Sequence, residues 1–128
     1  MLSSSKTYSV LPASDLSRAT AWFRDKLELE PEDLTEQGAR YRTGGDSWIY
    51  IYETANAGTA QNTAMCWVVD DIESEMAHLR GRGVVFADYD FPGLKTENGV
   101  ATDDQGKSAW FQDSEGNYLC LTQPNAPL

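Results

Sequence analysis

Two aspartates about 56 residues apart, Asp15 and Asp71, each close a β-type run and open a stretch of helical periodicity. Before Asp15, residues 8–13 read as a strand, with Pro12 tolerated near its end or on an edge. Ser14 or Asp15 offers an N-cap, and Leu16, Ala19, Phe23 and Leu27 recur at helical spacing until Pro31 marks the exit. Before Asp71, residues 63–69 form a near-continuous apolar strand. Asp70 and Asp71 cap a helix carrying Ile72, Met76 and Leu79, which Gly81 and Gly83 stop. After the first helix come a weak strand at 32–35, a turn at Glu36-Gln37-Gly38, a short strand at 39–43, the Gly44-Gly45-Asp46 turn and the alternating strand Trp48–Glu53. After the second come strand candidates at 84–87 and 99–102, an ordered loop at 88–95, and a terminal hairpin. A repeated βαβββ unit predicts a pseudo-symmetric α+β fold, because runs of strands after each helix do not build a doubly wound parallel sheet. Residues 1–128 are expected to form a single domain: module one at about 6–54, a small-residue linker at 55–61, and module two at about 62–123.

The hairpin at 107–123 divides its residues into two faces. Asp113-Ser114-Glu115-Gly116-Asn117 separates two β-prone runs and can hold the positive φ of a turn. Symmetric pairing sets Trp110 across from Cys120, with Ser108, Gln112, Tyr118 and Thr122 on the same face. Ala109, Phe111, Leu119 and Leu121 take the other face, apolar enough to pack on a helix. Strand Trp48–Glu53 splits likewise, with Trp48, Tyr50 and Tyr52 opposite Ile49 and Ile51.

A hydrophobic fraction of 41% belongs to a globular chain, and a formal charge of −10 argues against nucleic acid or an anionic membrane as a partner. The same charge suits a cationic small molecule, although solubility alone also explains it. Cys66 and Cys120 have no metal-motif spacing and make no disulfide framework. Residues 1–6 lack a signal-peptide pattern and no apolar run reaches transmembrane length, so the expected location is the cytoplasm with both thiols reduced. One histidine, His78, expected on the outer surface of the second helix beside Arg80, leaves no Ser-His-Asp or Cys-His arrangement. Gly81-Arg82-Gly83 lacks the context of a phosphate loop.

Three segments carry a family resemblance: Ser14-Asp-Leu-Ser-Arg-Ala-Thr-Ala-Trp-Phe-Arg-Asp-Lys-Leu27; Val69-Asp-Asp-Ile72 with Leu79-Arg-Gly-Arg-Gly-Val84; and Phe111-Gln-Asp-Ser-Glu-Gly-Asn-Tyr-Leu119. In this order they resemble the vicinal oxygen chelate superfamily of glyoxalase I, bleomycin-resistance proteins, extradiol dioxygenases and fosfomycin-resistance enzymes. The resemblance implies two βαβββ modules curling a mixed sheet into a cup with the helices outside, commonly as a homodimer. It also implies metal positions. Carried over one by one, these fall on Tyr8, Ala64 and Cys120, with Glu53 the one plausible donor on its strand. Tyr, Ala and Cys do not make the His and carboxylate set that a divalent metal needs, so no metal and no cofactor are expected. Aromatic surface replaces the metal: Tyr8, Trp48, Tyr50, Tyr52, Trp110 and Tyr118, with Cys120, are the expected ligand-binding residues, suited to planar or cationic groups. The expected function is sequestration or sensing of a partly aromatic or cationic small molecule, as in the bleomycin-resistance branch. Two alternatives stay open: a metal-independent lyase- or isomerase-like enzyme using a tyrosine, Cys120 or a cup carboxylate, and a structural or partner-binding module. Acid-base pairs for the enzyme would come from Glu53, Asp88, Asp90 or Glu97.

Overall fold

The computed structural model describes residues 1–127. The first half runs β1 (Ser9–Ala13), α1 (Leu16–Leu27), β2 (Asp33–Leu34), β3 (Gly38–Arg42) and β4 (Trp48–Glu53). The second runs β5 (Thr63–Val68), α2 (Ile72–Gly81), a small hairpin β6 (Asp90–Phe91) and β7 (Leu94–Lys95), then β8 (Ala101–Thr102), β9 (Gly106–Gln112) and β10 (Tyr118–Pro124). Two four-stranded mixed sheets result, ordered β1-β4-β3-β2 and β5-β10-β9-β8. In each, the strand before the helix runs parallel to the last strand of the module, and the other pairs are antiparallel. The βαβββ repeat is therefore present twice, in an α+β fold.

The equivalence extends to side chains. Asp15 Oδ1 accepts the Arg18 N–H at 3.0 Å, and Asp71 Oδ1 accepts the Ser74 N–H at 3.1 Å. Each helix also donates its first N–H to the end of its module's last strand: Leu16 N–H to Glu53 at 3.0 Å and Ile72 N–H to Gln123 at 2.8 Å. These bonds satisfy donors that a helix start leaves orphaned. At the other end, α2 stops where Gly83 takes φ +92. Helix α1 stops before Pro31, because Glu28 itself adopts the left-handed conformation at φ 59. That residue is held by His78 at 2.9 Å and Arg82 at 3.0 Å.

Three expectations need correction. Residues 84–87 form no strand; a single bridge joins Phe86 to Phe111, with Val85 exposed and Phe86 turned inward. The loop at 88–95 folds into the β6–β7 hairpin around Pro92-Gly93, and the strand expected at 99–102 shortens to Ala101–Thr102. A short edge strand limits the unpaired backbone open to another chain.

The inward faces of both sheets and both helices share one core. Leu11, Ala39, Tyr41, Ile49 and Ile51 from the first sheet meet Phe23 of α1, while Met65, Ala109, Phe111, Leu119 and Leu121 meet Ile72, Met76 and Leu79 of α2. Phe111 links the halves, stacked at 6.2 Å on both Trp22 of α1 and Trp67 of β5 and meeting Phe86 edge-on at 5.4 Å. Each such large apolar side chain contributes about 1.5–3 kcal/mol by leaving water. The opposite face of each sheet stays uncovered, and these two faces are the candidates for function.

Candidate ligand-binding site

On the second sheet, in-register pairing aligns Cys66 of β5, Cys120 of β10 and Trp110 of β9 in one row. Trp110 is half-buried, and its indole N–H donates to Thr63 Oγ at 3.0 Å. Tyr89 meets it edge-on at 5.8 Å, and Phe91 meets Tyr89 edge-on at 5.9 Å. With Tyr118, Leu94 and the amide side chains of Gln61 and Asn62, these rings line a depression of about 240 Å³. Its lining holds no formal charge. Burial raises the Tyr89 phenol, and the neighbouring Tyr118 adds to that shift, so Tyr89 serves as a neutral hydrogen-bonding group. Tyr89, Phe91 and Leu94 are absent from the expected ligand set. The alternation of Tyr89 and Phe91 with Asp88 and Asp90 before Pro92-Gly93 is a hairpin signal that could have found them.

The first sheet carries a different arrangement. Tyr8 stacks on Trp48 at 3.9 Å with 13° between the rings, and the Arg40 guanidinium lies 5.5 Å from the Trp48 centroid. Tyr50 reaches across β3, where a Cβ on Gly38 would come within 2.5 Å of the Tyr50 hydroxyl. Tyr8, Arg40, Trp48 and Tyr50 line a depression of about 300 Å³ together with Asp33 and Thr35. The Arg40 Nε is buried with no hydrogen-bond partner among the described residues. Tyr52 is exposed on the same strand and lies outside this depression. The expected ligand residues thus divide: Tyr8, Trp48 and Tyr50 gather on one sheet, Trp110, Tyr118 and Cys120 on the other, and neither of these two depressions draws on both groups.

The turn between β9 and β10 is a clamp between modules. Glu115 Oε1 accepts the Ser14 and Asp15 N–H groups at 3.0 Å each, and Arg18 binds its two oxygens at 2.8 and 3.0 Å. Burial pushes the Glu115 carboxyl up, but hydrogen bonds from Arg18, Ser114 and Asp15 and the Arg18 charge overrule it and hold the group at about 2. Asn117 joins the clamp, its amide donating to Pro12 O at 2.9 Å and to Asp113 at 2.8 Å. Asp113, Glu115 and Asn117 are all buried, so a segment that reads as a plain surface turn is an internal polar joint.

A larger depression, about 610 Å³, lies elsewhere, between α2 and the strands that follow it. Three of its five charged side chains are already engaged: Lys107 pairs with Glu73 at 3.0 Å, and Arg80 donates to Asn98 O at 2.8 Å and lies over Phe86, while Lys95 and Glu97 also line it.

No family model and no curated protein matches the sequence. Solved structures do. A glyoxalase/bleomycin resistance protein from Catenulispora acidiphila is 24% identical, with 97% of this chain and 100% of that one covered at a TM-score of 0.69. The bleomycin resistance determinant encoded on transposon Tn5 is 15% identical, covering 96% and 100% at 0.73. An antibiotic-binding protein from Streptomyces sp. CB03234 is 20% identical, covering 95% and 98% at 0.63. This is the vicinal oxygen chelate fold.

Within that fold the metal positions carried over by resemblance do not fit a hard divalent ion. Tyr8 is committed to Trp48 on the first sheet, while Ala64 and Cys120 sit on the second, and Ala64 offers no donor. Glu53 faces the helix side, bonded to the Leu16 N–H. Among the described residues no three His, Cys, Asp or Glu side chains converge on one point. His78 is exposed on α2, paired with Glu28 across the joint between helices. Asp88 is held low by hydrogen bonds from Thr96 and the Gly99 N–H, which fasten the β6–β7 hairpin to the loop after it.

Proposed function

We propose that this chain is a metal-independent small-molecule-binding protein, sequestering or sensing a partly aromatic or cationic ligand against the second sheet. The observation that carries this reading is the aromatic depression around Trp110. Its indole is fixed by Thr63 and Tyr89 yet remains half exposed, beside Tyr118 and a neutral rim of amides and hydroxyls. Such a lining matches a planar apolar body with a few polar edges. The similar folds of an antibiotic-binding protein and a bleomycin resistance determinant support the class of ligand. The acidic excess favours cations by long-range attraction, since the depression itself is uncharged.

The working form in this proposal is a cytoplasmic homodimer of single-domain chains. Each chain leaves two sheet faces bare, with Tyr8, Val10 and Tyr52 exposed on one and Val68 on the other, and Phe91 of the hairpin is exposed as well. A two-fold axis setting these faces against a partner chain would cover their exposed apolar side chains. No helix among the described residues is long and apolar enough to cross a membrane.

A thermal-shift screen of planar cationic compounds tests the binding claim, because a ligand of the native state stabilises it by about 2.7 kcal/mol at a hundredfold excess over Kd. Light scattering tests the assembly. A particle of 14.2 kDa at micromolar concentration would remove the dimer, and a hit whose affinity ignores Trp110→Ala would remove the site.

A further inference from the structure

Cys66 and Cys120 are register partners on the adjacent parallel strands β5 and β10. Alternation places both on the open face, since their neighbours Met65, Leu119 and Leu121 are buried in the core and Trp67 packs against it. Neighbouring strands lie about 4.8 Å apart, so two sulfurs side by side on them are spaced for one small cation to bridge. Cys66 is exposed, whereas Cys120 is buried beside it with its thiol donating to Leu121 O at 3.3 Å. The proximity of the two sulfurs lowers the Cys66 thiol against the opposing effect of burial, and together with burial raises that of Cys120.

We propose that Cys66 and Cys120 form a two-thiolate site for a soft, thiophilic metal cation of the Cu(I) class. Thiolates select soft cations, and a two-coordinate soft cation needs no third ligand. A tetrahedral Zn²⁺ needs four donors, and no third His, Cys, Asp or Glu converges here among the described residues. The chemistry is ligand exchange without oxidation: Cu(I) replaces the thiol protons, two S–Cu bonds form, and the protons leave to solvent. Affinity accordingly rises with pH, because bound metal competes with protons for both sulfurs. The equivalent positions of the first module are Val10 and Tyr50, also register partners, which offer no sulfur. The site is thus a property of the second module alone, one strand over from the Trp110 that lines the aromatic depression.

The test is anaerobic titration of the reduced protein with Cu(I) against a chromophoric Cu(I) chelator, for the native chain, Cys66→Ser, Cys120→Ser and Cys120→Ala. The expected result is one Cu(I) per chain, tighter binding as pH rises through neutrality, and loss of the site in every variant that folds by circular dichroism. Cys66→Ser replaces an exposed side chain, so it keeps the test decisive if the Cys120 variants unfold. Copper retained by Cys66→Ser or by a folded Cys120 variant would overturn the proposal. So would equally tight binding of Zn²⁺, or copper uptake accompanied by a doubling of particle mass, since the exposed thiol would then be bridging two chains.

Discussion

The two modules share topology, helix caps and strand register, yet present opposite kinds of open face. In the first, the central row reads Val10, Tyr50, Arg40 across β1, β4 and β3; in the second, the same row reads Cys66, Cys120, Trp110 across β5, β10 and β9. The first module occupies its own tryptophan, with Tyr8 stacked on Trp48 and Arg40 close to its ring. The second inserts the β6–β7 hairpin, whose Tyr89 props Trp110 from the edge and widens the aromatic wall. Duplication therefore fixes backbone and caps, which obey the same local physics in both halves, while the residues of the open rows are free to diverge. A site built on one half need not have a copy on the other.

Among changes to polar contacts, the largest effect is expected at the joint that makes the halves one body. Glu115→Ala should cost about 2–4 kcal/mol in chemical denaturation, because it strands Arg18 and the Ser14 and Asp15 N–H groups together. The pH dependence carries the same signature. Glu115 sits at about 2 in the folded chain against 4.5 ordinarily, so its contribution is fully present above pH 4.5 and is lost as pH falls toward 2. Acid unfolding of Glu115→Gln should lack that component, and an unchanged acid limb would show that the halves are held by apolar packing alone.

Next in size come the matched helix contacts. Glu53→Ala and Gln123→Ala each leave the first N–H of a helix unpaired, and each should cost about 1 kcal/mol. Equal losses would sharpen the equivalence of the modules. A loss confined to one would break it.

The smallest effect is expected at a core hydroxyl. Tyr41 and Phe111 are equivalent core aromatics, but the Tyr41 hydroxyl is buried without a partner among the described residues, and burial drives its phenol up to about 12. Tyr41→Phe removes that group and should be neutral or stabilising by up to about 1 kcal/mol, read as a rise in Tm. A clear loss of stability would mean that the hydroxyl is hydrogen-bonded in solution.

Much of the frame was legible because its signals are local. Asp15 and Asp71 announce both helices, alternation sorts Trp48, Tyr50 and Tyr52 from Ile49 and Ile51, and the symmetric turn sets Trp110 against Cys120. Residues 84–87 misled because an apolar run also serves as a chain anchored by one inward Phe86. The pairing of Cys66 with Cys120 was out of reach: β5 and β10 are parallel neighbours joined through the whole module, and no local pattern sets their register. Likewise Glu115 reads as a turn residue until the chain closes and brings Arg18 to it.

The central contrast, an open aromatic site in the second module against a self-occupied one in the first, is tested most directly by comparing Trp110→Ala with Trp48→Ala. Both variants would be titrated with a planar cationic compound from the thermal-shift screen, with Trp67→Ala as the packing control. The account predicts that Trp110→Ala loses affinity by about ten- to thirtyfold, equivalent to 1–2 kcal/mol. It also predicts that Trp48→Ala binds nearly as the native chain does. Trp110→Ala should cost less stability than Trp67→Ala, whose truncation at the core boundary beside Phe111 falls in the range of about 3–5 kcal/mol. If Trp110→Ala instead unfolds the protein as badly as Trp67→Ala and leaves binding unchanged, Trp110 is packing and the second module is not the site.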